Sequence, residues 1–72
     1  MSAWVVLCKL YQGEYQKWEA QGVFPDLRAA QRHVETLYPT VVWSREGEDV
    51  IGFCEDNLSF VLSNVTVYGK IA

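Results

Sequence analysis

Apolar and polar residues alternate with a period of two along most of the chain, and switch to helical spacing once, between Pro25 and Pro39. In the first segment Trp4, Val6, Cys8 and Leu10 fall on one side, with Val5, Leu7, Lys9 and Tyr11 on the other, which predicts a strand over 3–11. Gln12-Gly13-Glu14 supplies turn chemistry, and a second strand is expected over 16–24. Here Trp18, Ala20, Gly22 and Phe24 share an apolar side opposite Lys17, Glu19 and Gln21, so the pair reads as a hairpin with one dry face. Gly22 on that dry face marks a close approach by another element, and the helix that begins a few residues later is expected to pass nearby.

The helical stretch is bounded on both sides. Asp26 is a suitable N-cap, able to accept from free N–H groups of the first turn. Pro39 disfavours helical geometry at Tyr38, so the helix is predicted over 26–38. Leu27, Ala30, Val34, Leu37 and Tyr38 form its apolar stripe, and Arg28, Gln31, Arg32 and Glu35 its polar side. Beyond Pro39 the pattern predicts short strands over 40–45, 50–55, 58–63 and 65–71. Turns are expected at Glu46-Gly47-Glu48-Asp49, at Asp56-Asn57 and at Ser63-Asn64. The order is β-β-α-β-β-β, with a sixth strand at the end. It describes a single α+β domain spanning 1–72, an antiparallel sheet of five to six strands with one helix on one face.

One short helix cannot cover both faces of such a sheet. The uncovered face would carry Val5, Leu7 and Tyr11, with some of Trp43, Ile51, Phe53, Val61 and Tyr68. An apolar patch of that kind is rarely left in water. The candidate interface is therefore Val5, Leu7, Tyr11, Trp43, Arg45 and Tyr68, and a homodimer is its simplest occupant. Trp43 has two readings at this point, an interface anchor or a ring packed on the helix end.

Composition agrees with a packed core. The chain has 72 residues, half of them hydrophobic and three of them Trp. A domain of this size hides only ~60% of its unfolded surface, so it needs a rich core or a partner. The net charge of −3 disfavours nucleic acid as a partner, since such binding relies on many cations. No apolar run reaches the length of a membrane span, and no leader pattern precedes the first strand. A cytoplasmic location is expected, with Cys8 and Cys54 as buried, reduced thiols. The acceptor patterns Asn57-Leu58-Ser59 and Asn64-Val65-Thr66 are then coincidental.

Chemistry is sparse. His33 is the sole histidine, at the border of the helix's apolar stripe, with no neighbouring ligand or nucleophile in sequence. Ser44, Ser59 and Ser63 lack the setting of a nucleophile elbow. The glycines are scattered singly, so no loop cradles phosphate. An enzyme is not expected, nor any cofactor or metal. Glu46, Glu48, Asp49, Glu55 and Asp56 form a candidate acidic rim. A straight intervening strand splits them into two spots roughly 17 Å apart, suited to solvating turns or to selecting a basic partner.

Trp4-Val5-Val6, Gly22-Val23-Phe24, Asp26-Leu27-Arg28-Ala29-Ala30 and Val67-Tyr68-Gly69 together resemble small orphan proteins of actinobacteria and their bacteriophages. The resemblance is one of pattern. It implies no catalytic or ligand residues, and it suggests a phage-encoded protein that acts by binding a host component. The expected function is a non-enzymatic protein-interaction module that self-associates through its sheet. The alternatives are a nucleic-acid-associated binder and a small-molecule binder in a partly open barrel.

Overall fold

A computed structural model describes residues 2–55 and 57–66. The chain forms β1 (Ser2–Gln12), β2 (Tyr15–Phe24), α1 (Leu27–Leu37), β3 (Val42–Glu46), β4 (Asp49–Glu55) and β5 (Leu58–Thr66). The five strands make one antiparallel sheet, as the alternation predicts, and its order is β2-β1-β5-β4-β3. The hairpins β1–β2 and β3–β4 are joined through β5, which pairs with β4 as a third local hairpin and with β1 over a long sequence separation. Among the described residues β2 and β3 are the sheet's edges, and the sheet stays open.

The β1–β2 and β3–β4 hairpins turn in the same way. Gly13 and Gly47 each stand at the first central position of a two-residue loop with φ of 63°, and among the described residues no non-glycine has positive φ. Positive φ at that position alone is the type II′ pattern, whose twist matches that of the flanking strands.

α1 connects the two edges, leaving β2 and delivering the chain to β3 across one face. Asp26 caps it, its carboxylate accepting from Ala29 N–H at 2.8 Å and its carbonyl from Ala30 N–H at 3.2 Å. At the other end Tyr38 leaves helical geometry while its N–H still donates to Val34 O at 2.7 Å. The helix packs on β1, β2 and β5. Ala30 and Val34 meet Val6 and Leu62, all four at 0% exposure, and Val50 and Phe60 complete the buried cluster. Leu37 departs from the expected stripe and is exposed. Tyr38, just past the helix end, closes the core in its place, its ring 5.7 Å from that of Phe60.

Three further details differ from the sequence reading. Ser63-Asn64 is not a turn, because both residues pair with β1, Ser63 with Val5 and Asn64 with Trp4. The strands expected over 58–63 and 65–71 therefore begin as one strand, β5, and the residues from 67 onward lie outside the described part. β3 starts at Val42 rather than Thr40, since Thr40 belongs to the turn after Pro39, where Val41 N–H donates to Tyr38 O at 3.1 Å.

The largest difference is in β2. Val6 pairs with Gly22 but Leu7 pairs with Ala20, so Gln21 is an extra residue, a β-bulge. A bulge places two residues opposite one and changes which side the rest of the strand presents. Phe24 and Gly22 keep the helix side, opposite Trp4 and Val6. Ala20 and Trp18 pair with Leu7 and Lys9 and so face away from the helix. The expectation that Trp18 shares a core face with Trp4 is thus corrected, and Trp18 is 48% exposed.

Candidate functional site

The face turned away from the helix can be built row by row from the strand register. Its central row is Ala20, Leu7, Val61, Ile51 and Ser44, one residue from each strand. On one side lies the row Trp18, Lys9, Ser59, Phe53 and Val42. On the other side Val23, Val5 and Ser63 are aligned, with the Asp49–Glu46 pair following at the β3–β4 edge. The middle of the central row is half-buried by neighbouring strands, whereas the corners are open. Val23 is 66% exposed, Val42 64% and Phe53 49%.

Five strands at roughly 4.8 Å spacing and about seven residues of shared length give a face on the order of 500 Å², before side-chain relief is counted. The apolar part of that footprint falls within the roughly 300–600 Å² of the largest patch on a typical monomer, a patch that is often functional. The whole face approaches the ~800 Å² that each partner contributes to a standard protein interface.

Among the described residues three charged side chains occupy this face. Lys9 lies within it, its ammonium 4.9 Å from the Tyr11 ring centroid and 5.1 Å from that of Trp18. Both distances fall within cation–π range. Asp49 and Glu46 pair with each other at the β3–β4 corner.

The candidate interface residues divide between the two faces. Val5, Leu7 and Tyr11 stand on the helix-free face, together with Ile51, Phe53 and Val61. Trp43 and Arg45 do not. They pair with Gly52 and Val50 on the helix side. The Trp43 ring lies across Gly52, and its Nε1–H donates to Glu35 Oε2 on α1 at 3.2 Å. Of the two readings for Trp43, the structure has the ring packed on the helix end. Tyr68 lies outside the described residues. Trp18, Val23 and Val42 were missed in the sequence, the first because Gln21 offers no signal of a bulge beyond the adjoining Gly22.

The acidic residues do not converge. Glu46, Glu48 and Asp49 sit at one end of β4 and Glu55 at the other, and Asp56 lies outside the described residues. Among the described residues no group of three or more His, Cys, Asp or Glu side chains could hold a metal ion.

His33 packs its ring on Phe24 at 5.1 Å, and its Nε2 is buried without a hydrogen-bond partner. Phe24 also covers Gly22, where a Cβ would meet the ring at 3.2 Å. The close approach at Gly22 thus comes from a ring of its own strand and not from the helix, which meets that ring through His33.

Cys8 and Cys54 are separated by β5, since Cys8 pairs with Phe60 and Cys54 lies on β4. Two strand spacings are about 9.6 Å, beyond the ~7 Å Cα separation that a disulfide tolerates. Burial pushes both thiols above their ordinary pKa. Glu19 adds to the effect at Cys8, and Cys8 and Glu55 add to it at Cys54. Cys54 Sγ also makes a weak contact to Gly52 O at 3.9 Å. Raised, half-buried thiols are poor nucleophiles.

A shallow cleft follows the start of α1, lined by Asp26, Leu27, Arg28, Ala29 and Arg32. The Asp26 carboxylate already occupies the helix N-terminus there.

Fold and site together define a small α+β domain in which, among the described residues, one sheet face is covered by the helix and the other is uncovered. No helix in the described residues is long and apolar enough to cross a membrane. Neither a protein-family model, nor a curated protein, nor a solved structure matches the chain.

Proposed function

We propose that this chain is a non-enzymatic protein-interaction module that self-associates through the helix-free face of its sheet. The observation that carries the reading is the uncovered apolar field around Leu7, Val61 and Ile51, flanked by Trp18, Phe53 and Val42. Hydrophobic burial is worth roughly 25 cal/mol per Å², and a second copy offers the same field at the same size. Two-fold self-association is the commonest way to cover such a surface.

Sedimentation equilibrium over the micromolar range tests this. The parent is expected to dimerise, and Val61→Glu to remain monomeric with an unchanged far-UV circular dichroism spectrum. A parent that stays monomeric throughout overturns the reading.

A further inference from the structure

The charges on the helix-free face restrict how two copies can meet. In an isologous dimer, any residue that faces a second residue is faced by that residue's copy in return. Lys9 lies among apolar neighbours, so covering the face buries its ammonium. A buried cation without an anion is costly. The acids on this face, among the described residues, are Asp49 and Glu46 at the opposite corner.

The register locates the axis that would join them. Lys9 pairs with Ser59, and Val50 pairs with Leu62, which sets Asp49 level with Ser63. Ser59 and Ser63 flank Val61 symmetrically along β5, and β1 and β4 flank β5 on either side. The midpoint between Lys9 and Asp49 is therefore Val61. The two are about 9.6 Å apart across the strands and about 13 Å apart along them.

Two simpler axes fail. An axis along β5 sets Lys9 over the partner's Phe53 and both acids over its Val5 and Val23. An axis along the central row sets Lys9 over the partner's Val5 and Asp49 over its Phe53. Each leaves all three charges against hydrocarbon, where unpaired charges are disfavoured.

An oblique axis through Val61 avoids this. It runs from the Val23 corner of β2 to the Val42 corner of β3, because Val23 is in the Ser63 row and Val42 in the Ser59 row. These are the two most exposed valines on the face, at 66% and 64%. On an axis each residue meets its own copy, an arrangement that suits an apolar side chain. The strands of the two sheets then cross at about 70° by the same spacings, nearer to the orthogonal than to the aligned class of sheet packing.

Resting on the self-association reading above, we propose that two copies pack sheet on sheet about this oblique two-fold axis, with Val23, Val61 and Val42 along it and Lys9 of each copy against Asp49 of the other. Glu46, beside Asp49, extends the negative corner toward the Tyr11 end of the partner's β1.

Charge exchange tests the geometry with the full chain. Lys9→Glu and Asp49→Lys are each expected to weaken self-association at least about tenfold, since like charges brought together across an interface cost several kcal/mol. Mixed in equal amounts, the two variants are expected to form a heterodimer that recovers most of the parent affinity, because both cross-contacts are again opposite in sign. Circular dichroism and thermal melts establish that each variant is folded; a variant that does not fold is replaced by Lys9→Gln or Asp49→Asn, with the same expected direction. A parent dimer whose affinity survives both substitutions, or a mixture that recovers nothing, overturns this geometry and leaves self-association standing. A monomeric parent overturns both.

Discussion

Gly52 lacks a side chain where the Trp43 ring and a Val41 methyl take up the space. A Cβ built there would come within 2.8 Å of the ring and 2.9 Å of the methyl. Both neighbours belong to the group that closes the core beyond the reach of α1, and Trp43 is also tied to Glu35. Gly52→Ala is therefore expected to destabilise the fold by about 1–3 kcal/mol through overpacking, read from a urea denaturation midpoint at unchanged slope. The two thiols predict a pH effect. Burial raises the pKa of each in the folded state. Their contribution to stability is thus fully present below the unfolded thiol pKa of about 8.5. It is lost as pH rises through the folded values, because the unfolded chain releases those protons first. Thermal melts between pH 7 and pH 10 are expected to show a decline that Cys8→Ala/Cys54→Ala lessens. A decline unchanged in that variant would assign the loss to other groups.

At the scale of elements, α1 is the part whose limits are written most plainly. Asp26 and Pro39 lie just outside its two ends, and Ala30 and Val34 form its buried stripe. Asp26→Ala is expected to cost about 1 kcal/mol by freeing the Ala29 N–H, with the loss measured by chemical denaturation. The hairpins are nearly as legible, since Gly13 and Gly47 stand where positive φ is required. The bulge at Gln21 was not legible. Alternation from Trp18 to Phe24 is unbroken in the sequence, and a ladder with one extra residue gives the same string of letters as one without. Only pairing to β1 separates them, and pairing is a property of two segments. Ser63-Asn64 misleads for the same reason. Its turn-forming residues describe a local preference, which the partner strand overrides by offering Val5 and Trp4.

At the scale of the molecule, the face left uncovered by the described residues followed from arithmetic on elements: one helix and one sheet leave one side of that sheet without a helix. Its membership did not follow, because each residue's side depends on register. Lys9 and Tyr11 were assignable from alternation alone, yet the Trp18 ring beside Lys9 arrives there through the bulge. Trp43 sits among three consecutive apolar residues, where alternation cannot choose a side, and only its pairing with Gly52 does so. The predicted charge exchange between Lys9 and Asp49 belongs to this scale, since nothing in the sequence around either residue relates it to the other.

The position of β5 has a consequence for how the molecule comes together. The β1–β2 hairpin and the β3–β4–β5 meander can each close from neighbouring residues, but no strand of one pairs with a strand of the other until β5 meets β1. Sealing the sheet joins segments from nearly opposite ends of the described chain, Ser2 against Thr66. Pairings of such long sequence separation form slowly. Until they form, the facing edges of β1 and β5 stay open to strands from other chains. The same strand that carries Val61 at the centre of the proposed contact is thus also the step on which cooperative assembly of the monomer turns.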